Sequence, residues 1–219
     1  GGNVVTMGTV ELKLRDQALK RMLDIVGSLV GCILSIPIIA IVAIPLKLES
    51  PGPLVFKQRR VGRNGRVFYI HKLRSMYVDA EERKKELMAR NEMNGLMFKM
   101  QDDPRITKVG KFIRKTSIDE LPQFFNVLKG DMSLVGPRPE VPYHVEHFKE
   151  EIPRYLVRQQ VRPGCTGWAQ IHGLRGDTDI AERIRYDIWY IENWTVALDI
   201  KIIFRTVFGG KMVNDEKLQ

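Results

Sequence analysis

Residues 25–46 contain no charged side chain, and this run constrains the fold more than any other feature of the chain. About 20 apolar residues in a helix cross the hydrocarbon core of a bilayer, so the run predicts a membrane helix. A cleaved signal peptide fits poorly, because the run is long and ends in Lys47, Leu48 and Glu49 instead of small residues. A buried core helix and a helix that spans the bilayer stay open as alternatives.

Pro37 lies inside this run and predicts a bend near Ser35, because proline lacks the amide hydrogen that closes a helical turn. Lysines and arginines flank the run on both sides, and cytoplasmic flanks attract such residues. A helix that enters and leaves by one face satisfies both flanks, whereas a straight span sends one of them across. We therefore favour a re-entrant helix at residues 20–48, between a linker or expression remnant at residues 1–19 and a folded domain at residues 49–219.

The net charge of +9 over 219 residues limits the partners to anionic ones. Nucleic acid, acidic lipid headgroups and phosphorylated small molecules all fit this charge. Two cysteines, Cys32 and Cys165, lack the spacing of a zinc site, and we expect them to be reduced. The length suits one compact domain with a membrane element.

Asn64 and Gly65 predict the turn of a β-hairpin between β-like runs at residues 54–61 and 66–73. The hairpin carries two sets of basic residues, the first better suited to lipid headgroups and the second to phosphate: Lys57, Arg59 and Arg60, then Lys72 and Arg74. Residues 78–90 are typical of a charged surface helix. Residues 196–208 predict an amphipathic helix at the membrane interface, with a core helix as the alternative.

The acidic pair Asp119 and Glu120 lies in the most informative stretch, residues 103–140. Asp103-Pro104 predicts the start of a helix with a basic face. Ser117 and Glu120 form a capping-box pattern, which by itself explains the acidic pair as a helix cap, and Gly130 predicts the left-handed end of that helix. Adjacent carboxylates repel each other unless a cation shares them, however, and oxygen ligands beside phosphate-binding cations suit Mg²⁺. A carboxylate can also attack phosphorus, so the pair predicts a catalytic and metal site.

Two loops rich in glycine and proline complete the candidate site. Arg138 stands between two prolines at residues 136–139, where a rigid backbone would aim it at a phosphate, although a structural arginine is the alternative. A second loop, residues 162–170, ends in Gln170 and could hold a flat ring or a sugar.

With these residues in place, the chain resembles the bacterial sugar transferase family, the monotopic phosphoglycosyl transferases that load a sugar 1-phosphate onto undecaprenyl phosphate. The resemblance runs nearly end to end, and several motifs in the family's order are far more specific than one. They are RMLDI at 21–25 with the proline-broken helix, SPGP at 50–53, KLRSM at 72–76, SIDELPQ at 117–123, NVLKGDMSLVGPRP at 126–139, RPG at 162–164 and TGWAQ at 166–170.

The resemblance implies an α+β fold, in which a small and mainly helical cytosolic domain with a β-hairpin is joined to an N-terminal re-entrant helix, kinked at a proline, and to interfacial amphipathic helices. It places the protein on the cytoplasmic face of the bacterial inner membrane. Some family members break the helix at Ser-Pro, whereas here Ile36 precedes Pro37 and Ser35 lies one position earlier. We expect the Ser35 hydroxyl to satisfy a carbonyl that the proline releases.

The resemblance also implies a two-step reaction, in which Asp119 attacks the β-phosphate of a UDP-sugar, UMP leaves, and undecaprenyl phosphate takes the sugar phosphate from Asp119. Glu120, with Asp119, would hold Mg²⁺. The substrate would be held by Arg138, Arg114, Lys72, Arg74, Asp187 and Gln170.

Residues 173–179 and 184–187 resemble the hexose-type branch of the family, which implies a UDP-glucose or UDP-galactose donor and further membrane spans upstream. Membrane lipids are then expected partners, nucleic acid is not, and a homo-oligomer is open. Two alternatives remain at this point. One is a membrane-anchored basic adaptor that binds acidic lipid or nucleic acid without catalysis, and the other is the same transfer without a covalent intermediate.

Overall fold

The computed structural model describes residues 13–87, 103–174 and 179–209. Helices predominate, and the strands form two small two-stranded sheets among these residues. In chain order the elements are α1 (Leu14–Glu49), β1 (Val55–Val61), β2 (Val67–Leu73), α2 (Ala80–Leu87), α3 (Lys108–Lys115), α4 (Gln123–Lys129), β3 (Ser133–Val135), α5 (Pro142–Glu151), β4 (Gly164–Thr166), α6 (Trp168–Ile171), α7 (Ile180–Glu192) and α8 (Val196–Phe208), with 3₁₀ turns at Arg63–Gly65, Ile118–Glu120 and Tyr155–Gln160.

Helix α1 is one 36-residue helix that continues through Pro37 and Pro45. By length and composition it could cross a membrane, and 22% of its most apolar window is buried against the rest of the protein. Pro37 releases the carbonyl of Ile33, four residues earlier. The Ser35 hydroxyl instead donates to the Gly31 carbonyl at 2.5 Å, so the expectation that it satisfies the released carbonyl is wrong.

The hairpin forms as predicted. Strands β1 and β2 pair antiparallel from Val55 opposite Leu73 to Val61 opposite Val67. Asn64 and Gly65 take φ angles of 59° and 76°, the left-handed conformation that this residue pair tolerates. The surface helix predicted at residues 78–90 is observed as α2, and residues 88–90 lie outside the described part of the chain.

The predicted helix start at Asp103-Pro104 is wrong. Helix α3 begins at Lys108, where the Thr107 hydroxyl accepts a hydrogen bond from the Gly110 amide at 2.8 Å and so caps the helix. Asp103 has another role, because its carboxylate accepts from the buried guanidinium of Arg105 at 2.7 Å. The Asp103 carboxylate thus belongs to a local ion pair that precedes the helix.

The capping box at Ser117 is also absent. Ser117 takes φ 61° and makes no side-chain capping bond, and Ile118–Glu120 form a single 3₁₀ turn before α4 begins at Gln123. The chain therefore turns sharply at the acidic pair instead of entering a regular helix there. Helix α4 ends at Gly130, whose φ of 97° is the left-handed cap that the sequence predicts.

Helix α1 is tied to the folded domain by buried polar contacts. The Asp24 carboxylate accepts from the Ser133 hydroxyl at 2.9 Å and from the Leu134 amide at 3.0 Å, both on β3. Lys20 forms an ion pair with Asp199 of α8 and donates to the Val135 carbonyl at 3.0 Å. Because β3 leads directly into residues 136–139, these contacts set the position of the predicted phosphate loop relative to α1.

Candidate active site

The acidic pair sits on the 3₁₀ turn between α3 and α4. Asp119 is buried, with 5% of its surface exposed, and the Glu120 side chain is 14% exposed. The left-handed backbone at Ser117 redirects the chain so that this turn packs against β2. Two adjacent carboxylates are thereby held in the protein interior, where their charge requires nearby cations.

Three predicted cations surround the pair. A guanidinium nitrogen of Arg138 lies 3.6 Å from the Glu120 carboxylate. Lys72 on β2 interacts electrostatically with both Glu120 and Asp119, and Arg114 on α3 does the same. The structure therefore brings together the acidic pair and Lys72, Arg114 and Arg138, which come from three separate segments of the chain.

Burial lowers the pKa values of two cations at this site. Burial, together with the like charges of Arg60 and Arg138, lowers the pKa of Lys72 to about 7 against the opposing pull of Glu120 and Asp119. Burial also lowers the pKa of Arg114. Arg114 keeps its charge at neutral pH, whereas Lys72 titrates near that pH.

The loop that carries Arg138 is fixed by its backbone. Arg60 donates to the Pro139 carbonyl at 2.7 Å, and the Val61 amide donates to the Glu140 carbonyl at 2.8 Å. From the other side, Arg158 donates to the Arg138 carbonyl. The guanidinium of Arg138 is thus presented from a backbone held between the hairpin and the 3₁₀ turn at Tyr155–Gln160.

Asp187 belongs to this support. Its carboxylate pairs with Arg158 at 3.2 Å, both side chains are buried, and burial raises the pKa of Asp187 against the charge of Arg158. Asp187 is thus linked to the backbone of Arg138 through Arg158. The sequence predicts instead that Asp187 lines the site itself. Arg60 on β1, which the sequence assigns to lipid headgroups, is instead partly buried against this loop, while Lys57 and Arg59 are exposed.

Two further predicted residues have other surroundings. Arg74 is buried and donates to Pro53, Met76 and Ser50, so its contacts hold the chain after α1 and favour a structural role. Gln170 on α6 is buried, and its Nε2 makes no hydrogen bond among the described residues. Substrate binding by either residue stays a prediction.

Glu140 and Arg183 were missed by sequence reasoning. Their side chains pair at 3.0 Å, and His144 lies 3.7 Å from the same carboxylate. Although burial opposes ionisation, His144 and the charges of Arg158, Arg183 and Arg60 lower the pKa of Glu140 to about 2. The pair joins α7 to the loop after β3, and it left no motif in the sequence, because its members are far apart in the chain.

The oxygen donors at the site suit one kind of metal. The described residues contain no group of three or more His, Cys, Asp or Glu side chains that would form a metal cage. Mg²⁺ commonly binds through one or two carboxylates, with waters and substrate phosphates completing its coordination. Asp119 and Glu120 supply the two carboxylates that such a Mg²⁺ site needs.

A buried acidic pair among three cations, two of them with perturbed pKa values, marks a candidate functional site. The family described as "Bacterial sugar transferase" matches residues 15–211. The chain therefore belongs to the bacterial sugar transferase family, as the sequence motifs indicate.

Curated relatives carry names consistent with this family. The chain is 50% identical over 94% of its length to "Galactosyl transferase CpsE" of Streptococcus agalactiae, and matches 45% of that protein. It is 45% identical over 96% of its length to "UDP-glucose:undecaprenyl-phosphate glucose-1-phosphate transferase" of Escherichia coli, and matches 44% of it. A protein of the same name from Caulobacter vibrioides is 44% identical over 86% of the chain and is matched over 68% of its own length. The chain thus spans less than half of the first two relatives.

Proposed function

We propose that this chain transfers a sugar 1-phosphate from a UDP-sugar to undecaprenyl phosphate and releases UMP, the first step of exopolysaccharide, capsule or O-antigen synthesis. The observation that carries the proposal is the buried pair Asp119 and Glu120 beside Lys72, Arg114 and Arg138. Family membership and the names of the relatives support it. A carboxylate among fixed cations suits attack on a dianionic diphosphate, since the cations offset the repulsion.

In the proposed first step, a carboxylate oxygen of Asp119 attacks the β-phosphorus of the donor. The new oxygen–phosphorus bond forms as the bond from the β-phosphorus to the bridging oxygen breaks, and UMP leaves with that electron pair. In the second step, a phosphate oxygen of undecaprenyl phosphate attacks the phosphorus of the sugar-phosphoryl group on Asp119. The Asp119 carboxylate leaves, and the product is a polyprenyl diphosphate sugar.

The cations around the pair are assigned by their positions. Arg138 can place its planar guanidinium on phosphate oxygens, because its backbone is held by Arg60 and Arg158. Lys72 and Arg114 face the attacking carboxylate and offset the negative charge that gathers on the phosphoryl oxygens. Glu120 and Asp119 would hold Mg²⁺, which when bound supplies further positive charge to the diphosphate.

We further propose that α1 is a re-entrant membrane helix and that the protein is monotopic on the cytoplasmic face of the bacterial inner membrane. Exposed apolar side chains along α1, among them Ile33, Ile41 and Ile44, suit a lipid environment. Helix α8 contacts α1 and exposes apolar residues spaced along one face, including Ile200 and Phe204, which suits an interfacial helix. Cysteines placed before and after residues 25–46 test this arrangement by accessibility labelling. Ends that label from opposite faces would rule out the re-entrant helix.

A hexose is the proposed donor sugar, in line with the galactose and glucose named for the relatives. One relative, 47% identical to this chain, is named for N-acetylgalactosamine, so family membership alone does not select the sugar. A panel of UDP-sugars with Mg²⁺ and a polyprenyl phosphate, scored by UMP release, identifies the donor. Absence of release from every member of the panel would overturn the proposed activity.

The covalent step has its own test. Protein incubated with UDP-hexose labelled in the sugar, without acceptor, should carry label that depends on Asp119, together with one burst of UMP. Asp119→Asn should lose both signals, provided that deamidation is excluded by mass spectrometry. Acceptor-dependent UMP release without any trapped label would favour direct transfer from donor to acceptor.

A further inference from the structure

Asn126 is a fully buried polar residue in an apolar part of the protein. It lies one turn into α4, and none of its surface is exposed. The core at this end of α4 is formed by apolar side chains, among them Val127 and Met132. Burial of a carboxamide is unfavourable unless hydrogen bonds replace those that it makes with water. The partners of this amide therefore indicate what the residue does.

The side chain of Asn126 binds the backbone of β2 at two points. Its Nδ2 donates to the Tyr69 carbonyl at 2.7 Å, and its Oδ1 accepts from the His71 amide at 3.0 Å. Strand β1 pairs along the other edge of β2. A neighbouring strand would make the same two bonds with the edge that Asn126 occupies. One side-chain amide thus holds α4 on the hairpin.

The backbone of Asn126 is fixed as well. Its carbonyl accepts from the amides of Asp131 and Met132, at 3.1 and 3.4 Å, where the chain leaves α4 for β3. Asn126 therefore joins three segments that form the candidate site. They are the helix that follows the acidic pair, the strand that carries Lys72, and the chain that leads through β3 to Arg138.

The two bonds to β2 also specify which face of the strand meets the acidic pair. Ile70 is buried on the inward face and Tyr69 is exposed, so Lys72 shares the inward face with Ile70. A shift of β2 by one residue would turn Lys72 to the opposite face. A carboxamide that binds Tyr69 and His71 at once opposes such a shift.

We propose that Asn126 is a positioning residue, which fixes β2 on α4 so that Lys72 faces Asp119 and Glu120. This inference rests on the proposed function, because the arrangement matters for activity only if Lys72 acts on the phosphoryl group. Asn126 affects the reaction through Lys72. An apolar residue of similar shape could fill the core at this position, but it could not bind the edge of β2.

A double-mutant cycle in the full chain separates positioning from stability. Asn126→Leu keeps the branched outline of the side chain and removes both bonds to β2, and Asn126→Ala removes them and leaves space for water. Each is combined with Lys72→Met. UMP release with Mg²⁺ and a short-chain polyprenyl phosphate gives kcat/KM for the UDP-sugar. Thr195→Ala is the matched control, because it removes the N-cap of α8, a helix that carries none of the candidate site residues.

We expect either substitution of Asn126 to lower kcat/KM about tenfold, the loss that corresponds to one charge-assisted hydrogen bond. Lys72→Met alone should lower kcat/KM at least as much. In the Lys72→Met background, the substitution of Asn126 should then change kcat/KM less than about twofold, because the group that it positions is gone. Thr195→Ala should leave kcat/KM unchanged and should leave the effect of Lys72→Met complete.

Multiplied effects of the two substitutions would overturn the proposal, because Asn126 would then act independently of Lys72. Thermal unfolding in detergent shows which variants fold. If neither variant of Asn126 folds, the proposal is overturned in favour of a residue that folding alone requires. Absence of UMP release by the wild type would overturn the proposed function, whereas release by the wild type with multiplied effects overturns only the role of Asn126.

Discussion

The guanidinium of Arg138 lies 3.6 Å from the carboxylate of Glu120, close enough for charge attraction and too far for a direct hydrogen bond. The backbone of Arg138 is meanwhile fixed by a hydrogen bond from Arg158. The backbone of Arg138 is therefore fixed, while its guanidinium makes no hydrogen bond to Glu120. The guanidinium can move onto a phosphate without breaking a strong bond. This relationship leads to the first two predictions.

Arg138→Lys should keep the charge and lose the planar fork. We expect the KM for the UDP-sugar to rise about tenfold or more, because one bidentate phosphate contact becomes a point contact. UMP release under initial-rate conditions measures this change. Arg185→Lys is the control, since Arg185 is exposed on α7. An unchanged KM in Arg138→Lys would place the donor phosphates elsewhere.

Asp187→Asn should destabilise the protein and weaken catalysis together. It leaves Arg158 buried without its carboxylate, a change that costs about 3–5 kcal/mol. Glu192→Gln is the matched control, because Glu192 pairs with Arg154 on the surface, where a pair contributes about 0–1 kcal/mol. Thermal unfolding in detergent measures stability. If Asp187 acts through Arg158 and Arg138, Arg158→Lys should raise the donor KM more than it lowers kcat. A normal KM in folded Arg158→Lys would make the pair purely structural.

Local signals predicted local structure well. The hairpin turn at Asn64-Gly65 and the left-handed cap at Gly130 form as predicted, because each depends on backbone preferences of one or two residues. The capping-box prediction was wrong for the opposite reason, because packing overrode the local pattern. A left-handed Ser117 cannot place its hydroxyl as an N-cap, and packing of the turn against β2 favours that conformation over the helix start.

Long-range partners were beyond the sequence. Lys72 and Arg138 were identified by their motifs, but nothing local shows that Arg158 joins Asp187 to the Arg138 loop. The alternation along β1 could have separated Arg60 from Lys57 and Arg59, since successive residues of a strand face opposite sides. Because all three residues are basic and lie close together in the sequence, composition alone does not separate them.

Lys72 should make donor binding depend on pH near neutrality. Its pKa of about 7 means that it carries a charge below pH 7 and loses it above. The diphosphate keeps its charge over this range, so we expect the KM for the UDP-sugar to rise about tenfold between pH 6 and pH 9, as one charge-assisted hydrogen bond is lost. Lys72→Arg should flatten the profile, because arginine stays protonated. Lys72→Met should behave at pH 6 as the wild type does at pH 9. A wild-type profile as flat as that of Lys72→Arg would contradict this assignment.

Gly164→Ala should disrupt the site from a distance. A Cβ atom at residue 164 would lie 2.0 Å from the amide nitrogen of Gly136, where the loop carrying Arg138 begins. Backbone on both sides leaves no flexible group to move aside, so β3 and β4 must separate. Overpacking of this kind costs about 1–3 kcal/mol. We expect a lower unfolding temperature and, in the folded fraction, a raised donor KM. Cys165→Ala is the neighbouring control, because it removes atoms from the same strand and adds none. Wild-type stability and KM in Gly164→Ala would show that the close packing of these two strands does not position Arg138.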